Sequence, residues 1–102
     1  MRLSIKEISD ISQTVTDYLK HPFELRLYGS RLDDKAKGGD IDLLLIIDDT
    51  VVDQAKWNKH ILLANLKQVL GDQKIDLTIC SNNLIQSSSF LSMIHPTSMK
   101  IN

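Results

Sequence analysis

The sequence has little of several residue types, and each shortage excludes a class of protein. Cys80 is the single cysteine, so an internal disulfide and a multi-cysteine zinc site are both excluded. The longest apolar run, Leu43 to Ile47, is far too short to span a bilayer, and the N-terminus lacks the apolar segment of a signal peptide. We therefore expect a protein of a reducing, cytoplasmic compartment with no membrane association.

An excess of charge of one sign is also missing. The chain has 12 Lys and Arg residues against 13 Asp and Glu residues, a formal net charge of -1, so general binding of nucleic-acid backbones is not expected. The acids themselves are uneven, because 11 are Asp and two, Glu7 and Glu24, are Glu. Asp is a poor helix former, so these residues are expected in turns, at strand ends or in a site.

The 102 residues suit one domain, 1–102, in which helices and strands alternate. Ser4 and Glu7 have the form of a capping box that begins a first helix, and His21-Pro22 ends it. The elements expected after it are a half-exposed strand over 23–28, a strand buried on both faces over 41–47, a helix capped near Thr50 that stops at Gly71, a strand over 75–80 and a helix capped by Ser81 that ends at Pro96. The sequence therefore predicts an α/β (α+β) fold with helices packed on a small mixed β-sheet.

Acidic residues gather at the start of the two later strands. Asp40 and Asp42 lie two apart, so their side chains leave the same face of a strand with Cα atoms ~6.5 Å apart. Two carboxylates at that spacing need a cation between them, and an oxygen-seeking ion such as Mg²⁺ meets the need. Asp76 starts the next strand, where it can approach the same ion or act beside it as a base.

A Gly29-Ser30 turn follows the first strand. The missing side chain of glycine lets backbone N–H groups and the serine hydroxyl approach a phosphate closely. Arg31 and the lysines of the following loop add positive charge that suits a polyphosphate. With the carboxylates, these residues indicate metal-assisted phosphoryl or nucleotidyl transfer, in which Mg²⁺ bridges phosphate oxygens and orients an in-line attack.

Each component also has a plainer interpretation that the residues alone leave open. An Asp-x-Asp pair at a strand start is often turn and cap chemistry, and a Gly-Ser pair after a strand is usually just a turn. Asp76 could lie on the solvent-exposed face of an edge strand. We interpret Trp57 as a packing residue rather than a base-stacking platform, and Cys80 as a small buried hydrophobe rather than a nucleophile.

The combined pattern resembles the nucleotidyltransferases of the DNA polymerase beta superfamily, in particular their short single-domain members, the minimal nucleotidyltransferases. Their pattern is a Gly-Ser turn, a loop, an Asp-x-Asp pair followed by aliphatic residues, and a third Asp on a later strand. The residues that match it are Gly29, Ser30, Asp40, Asp42 and Asp76. The resemblance, which extends over about 23–80, implies the polymerase beta-like nucleotidyltransferase fold.

The resemblance also implies roles for these residues. Asp40 and Asp42 would hold Mg²⁺, and Asp76 would complete the carboxylate triad of catalytic and metal-binding residues and help to activate the attacking hydroxyl. Gly29 and Ser30, with Arg31 beside them, would grip the phosphates of ATP as the nucleotide donor.

Minimal nucleotidyltransferases are commonly paired with a small helical HEPN protein (higher eukaryotes and prokaryotes nucleotide-binding), as antitoxin and toxin. Some such antitoxins transfer AMP from ATP to a tyrosine of the toxin. The resemblance therefore implies an antitoxin that is a protein adenylyltransferase, and the short chain leads us to expect that the partner completes the acceptor site.

Three alternatives compete with this interpretation. The first is a binding module that neutralises its partner by complex formation without catalysis. The second is a nucleotidyltransferase for aminoglycosides or other small molecules, and the third is a sugar-nucleotide glycosyltransferase. The last two are disfavoured because such enzymes carry an additional helical domain or a far larger donor-binding domain.

Overall fold

The computed structural model describes residues 3–29, 40–71 and 73–102. In chain order the elements are α1 (Ile5–Leu19), β1 (Glu24–Tyr28), β2 (Ile41–Ile46), α2 (Asp49–Trp57), α3 (Lys59–Leu70), β3 (Ile75–Cys80), α4 (Asn82–Ser87), α5 (Ser89–Ile94), a 3₁₀ turn (His95–Thr97) and β4 (Met99–Lys100). The described residues form a mixed α/β fold with five helices and a four-stranded sheet, which confirms the predicted class. None of these helices is long and apolar enough to cross a membrane.

The sheet has the strand order β3-β2-β1-β4, so β2 has a neighbour on each side. β1 runs antiparallel to both β2 and β4, whereas β2 and β3 are parallel. A strand that is covered on both faces needs apolar side chains in both directions. Leu43, Leu44 and Leu45 of β2 are all fully buried, as the continuous aliphatic run predicts.

One face of the sheet, called the core face below, is packed against α1, α2 and α3. The strands contribute alternate residues to it, because side chains of a strand point to opposite faces in turn. These residues are Leu25, Leu27, Ile41, Leu43, Leu45, Ile75, Leu77 and Ile79. From α1, Ile11 and Val15 pack against them at helical spacing.

The start and end of α1 follow the sequence prediction. The Ser4 hydroxyl accepts a hydrogen bond from the Glu7 backbone N–H, and the Glu7 carboxylate accepts one from the Ser4 N–H, both at 3.0 Å. The helix ends at Leu19 because Lys20 adopts a left-handed conformation with φ 58°. The capping box is therefore confirmed, and it fixes where α1 meets the core face.

The opposite face of the sheet, called the second face below, is divided. Toward the carboxyl end of β2, Leu44 and Ile46 form a small apolar cluster with Cys80 and with Leu91 of α5. Toward the amino end of β2, the residues on this face are Asp42 and, on β3, Asp76. Short helices therefore cover one half of the second face, and the other half carries the acidic residues.

The single helix predicted over 50–70 is wrong, because the structure has two helices, α2 and α3, that meet at Asn58. The Asn58 carbonyl accepts a hydrogen bond from the Tyr18 hydroxyl at 3.0 Å, which ties the junction to α1. The N-cap is Asp48 rather than Thr50, since the Asp48 carboxylate accepts from the Thr50 N–H at 2.9 Å. The apolar stripe continues across the junction, so the sequence pattern gave no sign of the break. The predicted stop at Gly71 is confirmed, with φ 81° at that residue.

The last predicted helix is also divided. Ser81 caps α4 as expected, but the Ser88 hydroxyl accepts a hydrogen bond from the Leu91 N–H at 3.3 Å and begins a separate helix, α5. Sequence reasoning missed β4 altogether. This two-residue strand is held by contacts from far along the chain, including an Arg26 guanidinium that donates to the Ser98 carbonyl at 2.9 Å. Such contacts leave no local pattern to detect.

Candidate functional site

The pairing of β2 with β3 places two of the predicted site residues side by side. The two strands are parallel and in register, with Asp42 opposite Asp76. Paired residues point to the same face, so both carboxylates leave the second face of the sheet. Their place in the register follows from the apolar residues around them, because a shift of one position would turn the aliphatic set of β3 away from the core.

Asp40 joins this pair from the residue before β2. The Ile41 N–H donates to the Lys74 carbonyl at 2.9 Å, which fixes the start of β2 against the segment that leads into β3. One carboxylate oxygen from each of Asp40, Asp42 and Asp76 lies within 4.8 Å of the others. The three residues, called the triad below, are thus brought together as the sequence predicts, with Asp76 exposed and the other two half-buried.

Gly29 lies against the triad at the end of β1. The preceding residue, Tyr28, pairs with Asp42 across β1 and β2, so Gly29 lies directly beside the Asp42 side chain. Gly29 has φ 81°, a conformation that favours glycine, and a Cβ placed on it would overlap the Asp42 carboxylate. The backbone conformation therefore favours glycine at this position, and a larger residue there would also have to displace the Asp42 carboxylate. Ser30 and Arg31, the other predicted phosphate-binding residues, lie outside the described residues.

The electrostatics of the triad are dominated by Asp42. Burial, the charge of Asp76, a hydrogen bond with Asp76 and the charge of Asp40 together raise the pKa of Asp42 to about 6, from an ordinary value of 3.8. The positive charge of Lys74 acts in the opposite direction and lowers this pKa. Carboxylates held this close repel one another, and a shared proton, the Lys74 ammonium or a bound cation would each relieve that repulsion.

The donor set fits a divalent cation such as Mg²⁺. Carboxylate oxygens are the hard ligands that this ion prefers, and in nucleotide-dependent enzymes it is often held by one or two carboxylates together with substrate phosphates. The exposure of Asp76 leaves the triad open to solvent on one side. The carboxylates of the triad are therefore of the ligand type that the predicted ion takes.

Two features of the surroundings were missed by sequence reasoning. Lys74, one residue before β3, places its ammonium 3.5 Å from the Asp40 carboxylate. The hydroxyls of Tyr28 and Thr78 lie 3.4 Å apart on the second face, bridging from β1 to β3 across β2. The spacing of Thr78 from Asp76 could have identified it, since residues two apart share a face, whereas Lys74 had no signal beyond its position near the third Asp.

The other singled-out residues lie elsewhere. Cys80 is buried, and burial raises the pKa of its thiol to about 11, which confirms the interpretation as a buried hydrophobe. Trp57 is 83% exposed at the end of α2, so its interpretation as a packing residue is wrong. A cavity of about 630 Å³ lies toward the carboxyl end of β2, lined in part by Ile46, Asp48 and Asn82, and no member of the triad contributes to it.

The chain matches no protein-family model, and no curated protein matches it.

Proposed function

We propose that this protein is a Mg²⁺-dependent nucleotidyltransferase of the polymerase beta-like fold that transfers a nucleoside monophosphate, AMP from ATP, to a hydroxyl of a protein partner, with pyrophosphate as the leaving group. The observation that carries the proposal is the convergence of Asp40, Asp42 and Asp76 beside a glycine turn whose Cβ position is taken up by a carboxylate. A structural role explains one Asp at a strand end, but it does not explain three mutually repelling carboxylates on one face.

Within this function the carboxylates have separate tasks. Asp40 and Asp42 hold the cation, and Gly29 allows the backbone to lie close to Asp42 so that a nucleotide phosphate can approach both the turn and the cation. Bound Mg²⁺ supplies charge neutralisation at the phosphates and orients them. Asp76 is the most exposed of the three, which suits a group that takes a proton from an incoming hydroxyl.

The acceptor is proposed to be a macromolecule because of where the triad lies. Among the described residues, the short helices cover the other half of the second face and not the carboxylates, and none of the carboxylates lines the cavity described above. An enzyme normally encloses a small-molecule acceptor in a pocket, whereas a protein acceptor supplies part of the surface that surrounds the reacting groups. We further propose, on the sequence resemblance, that the partner is a HEPN-type toxin and that the acceptor is one of its tyrosines.

The test is to co-express the protein with a small helical protein encoded beside it, add Mg²⁺ and ATP, and weigh the partner by mass spectrometry. The expected result is an added mass in steps of one AMP. Asp42→Asn should abolish the addition, because the cation loses a charged ligand that Asn replaces poorly.

The matched control is Asp53→Asn, which removes an exposed carboxylate of α2, a helix on the core-face side of the sheet. This variant should modify the partner as the unaltered protein does. An unmodified partner that is nevertheless bound and neutralised would contradict the transferase and establish the second candidate, a binding module that acts by complex formation.

A further inference from the structure

Lys74 is a charged residue of the triad's surroundings to which the proposed function assigns no task. Its ammonium lies 3.5 Å from the Asp40 carboxylate, and its side chain is 72% exposed. Its positive charge also acts on Asp42, so it interacts with two of the three carboxylates. The backbone of Lys74 is fixed by the hydrogen bond from the Ile41 N–H, whereas its long side chain extends into solvent.

The backbone of Lys74 is thus held in place, while its charged ammonium group is free to change position. An exposed ion pair is weak, because water and salt screen it, so the ammonium can leave Asp40 when something binds more strongly there. A divalent cation on the triad would repel the ammonium from Asp40. An anionic substrate beside the cation would then attract it, and lysine binds phosphates well as a point charge.

We propose that Lys74 is the counter-ion of the metal-free triad and a phosphate-binding residue of the loaded site, exchanging Asp40 for the triphosphate of the nucleotide. The inference rests on the proposed function. It predicts that one substitution changes two affinities in opposite directions. Loss of the ammonium should raise the affinity for the metal ion in the absence of nucleotide, because nothing then competes for Asp40. It should lower the affinity for the nucleotide, because a contact with the phosphates is lost.

The experiment measures two affinities by titration calorimetry on the full chain, for Mn²⁺ alone and for ATP at saturating Mg²⁺. Lys74→Met should bind Mn²⁺ roughly two- to five-fold more tightly, the scale of one exposed ion pair, and should bind ATP more weakly by a similar factor. Lys74→Arg keeps the charge and should restore both affinities toward those of the unaltered protein. The matched control is Lys56→Met, which removes an exposed lysine whose charge acts on Cys80, at the other end of β3.

The outcomes separate the inference from the function on which it rests. If the unaltered protein binds Mn²⁺ and ATP but Lys74→Met leaves either affinity unchanged, the inference is overturned and the proposed function stands. If Lys74→Met weakens both ligands together, the exchange is contradicted, since the residue then acts by supporting the local structure. If the unaltered protein binds no Mn²⁺, the proposed function and the inference fall together.

Discussion

The core face and the second face of the sheet are built from the same three long strands, yet they have opposite properties. On β2, Leu43 points into the core face and is fully buried, while its neighbour Asp42 points to the second face and carries a raised pKa of about 6. On β3, Leu77 is buried on the core face, while its neighbour Asp76 is exposed on the second face. Because side chains alternate along a strand, one residue packs in the core while its neighbour lies in the candidate site. Substitutions on the two faces should therefore change the stability of the protein to different extents.

The largest expected effect lies on the core face. Leu43→Ala should lower the free energy of unfolding by ~2–5 kcal/mol, because it removes buried apolar contacts and leaves a cavity. Asp42→Asn, one position away, should leave the stability of the metal-free protein unchanged or raise it at pH 7, because it removes a carboxylate that its neighbours repel. Urea unfolding of both variants measures the contrast, and a large loss for Asp42→Asn would show that the carboxylate is structural.

A second prediction distinguishes Asp76 from the other two residues of the triad. Asp76→Asn should reduce transfer to the partner by roughly 10²-fold or more, the scale of losing a general base, with a modest loss of nucleotide affinity. Asp40→Asn and Asp42→Asn should instead weaken nucleotide binding directly, because the proposed function assigns the cation to these two residues. Transfer rates with the partner and calorimetry with Mg²⁺ and ATP separate the two effects. Equal losses of binding in all three variants would make Asp76 a metal ligand rather than a base.

Two glycines with the same φ provide a third test. Gly29 and Gly71 both have φ 81°, but a Cβ on Gly29 overlaps Asp42, whereas a Cβ on Gly71 has no atom within 4 Å. Each alanine substitution should cost ~1–2 kcal/mol of stability from backbone strain. Gly29→Ala should in addition displace the Asp42 carboxylate and weaken Mn²⁺ binding, and Gly71→Ala should not. Equal Mn²⁺ affinities in the two variants would remove the steric link between the turn and the triad.

The smallest expected effect is a dependence on pH. The pKa of Asp42 is about 6 in the folded protein and 3.8 ordinarily, so between these values the folded state binds more protons than the unfolded state. The contribution of this group to stability should therefore fall as pH rises from about 4 to about 6. Subtracting the unfolding free energies of Asp42→Asn from those of the unaltered protein across this range isolates it. A difference that stays constant or increases with pH would contradict the raised pKa.

The sequence predicted the core face well because hydrophobic periodicity is a local signal. The alternation of Leu25 and Leu27, and the unbroken run after Asp42, place β1 and β2 correctly. The breaks at Asn58 and Ser88 were missed because apolar stripes continue across them, and the Tyr18 hydrogen bond that marks the first break comes from a distant helix.

The candidate site was predictable to a similar extent. Spacing alone puts Asp40 and Asp42 on one face, but the parallel register that sets Asp42 opposite Asp76 is a tertiary fact that spacing cannot give. The overlap of a Gly29 Cβ with Asp42 and the ion pair of Lys74 with Asp40 likewise depend on strands meeting in space. The residue types thus indicated a candidate metal site, and the pairing of the strands determined which residues lie together in it.

The most direct test of the central claim, that the triad is a metal-dependent nucleotide site, is the thermal midpoint of the protein measured with and without Mg²⁺ and ATP. A ligand that binds the folded state alone raises the midpoint by mass action. The account predicts that Mg²⁺ with ATP raises the midpoint of the unaltered protein and that the Mg²⁺-dependent part of this shift disappears in Asp42→Asn and persists in Asp53→Asn. A midpoint that millimolar Mg²⁺ and ATP leave unchanged, or a Mg²⁺-dependent shift that survives in Asp42→Asn, would contradict the account.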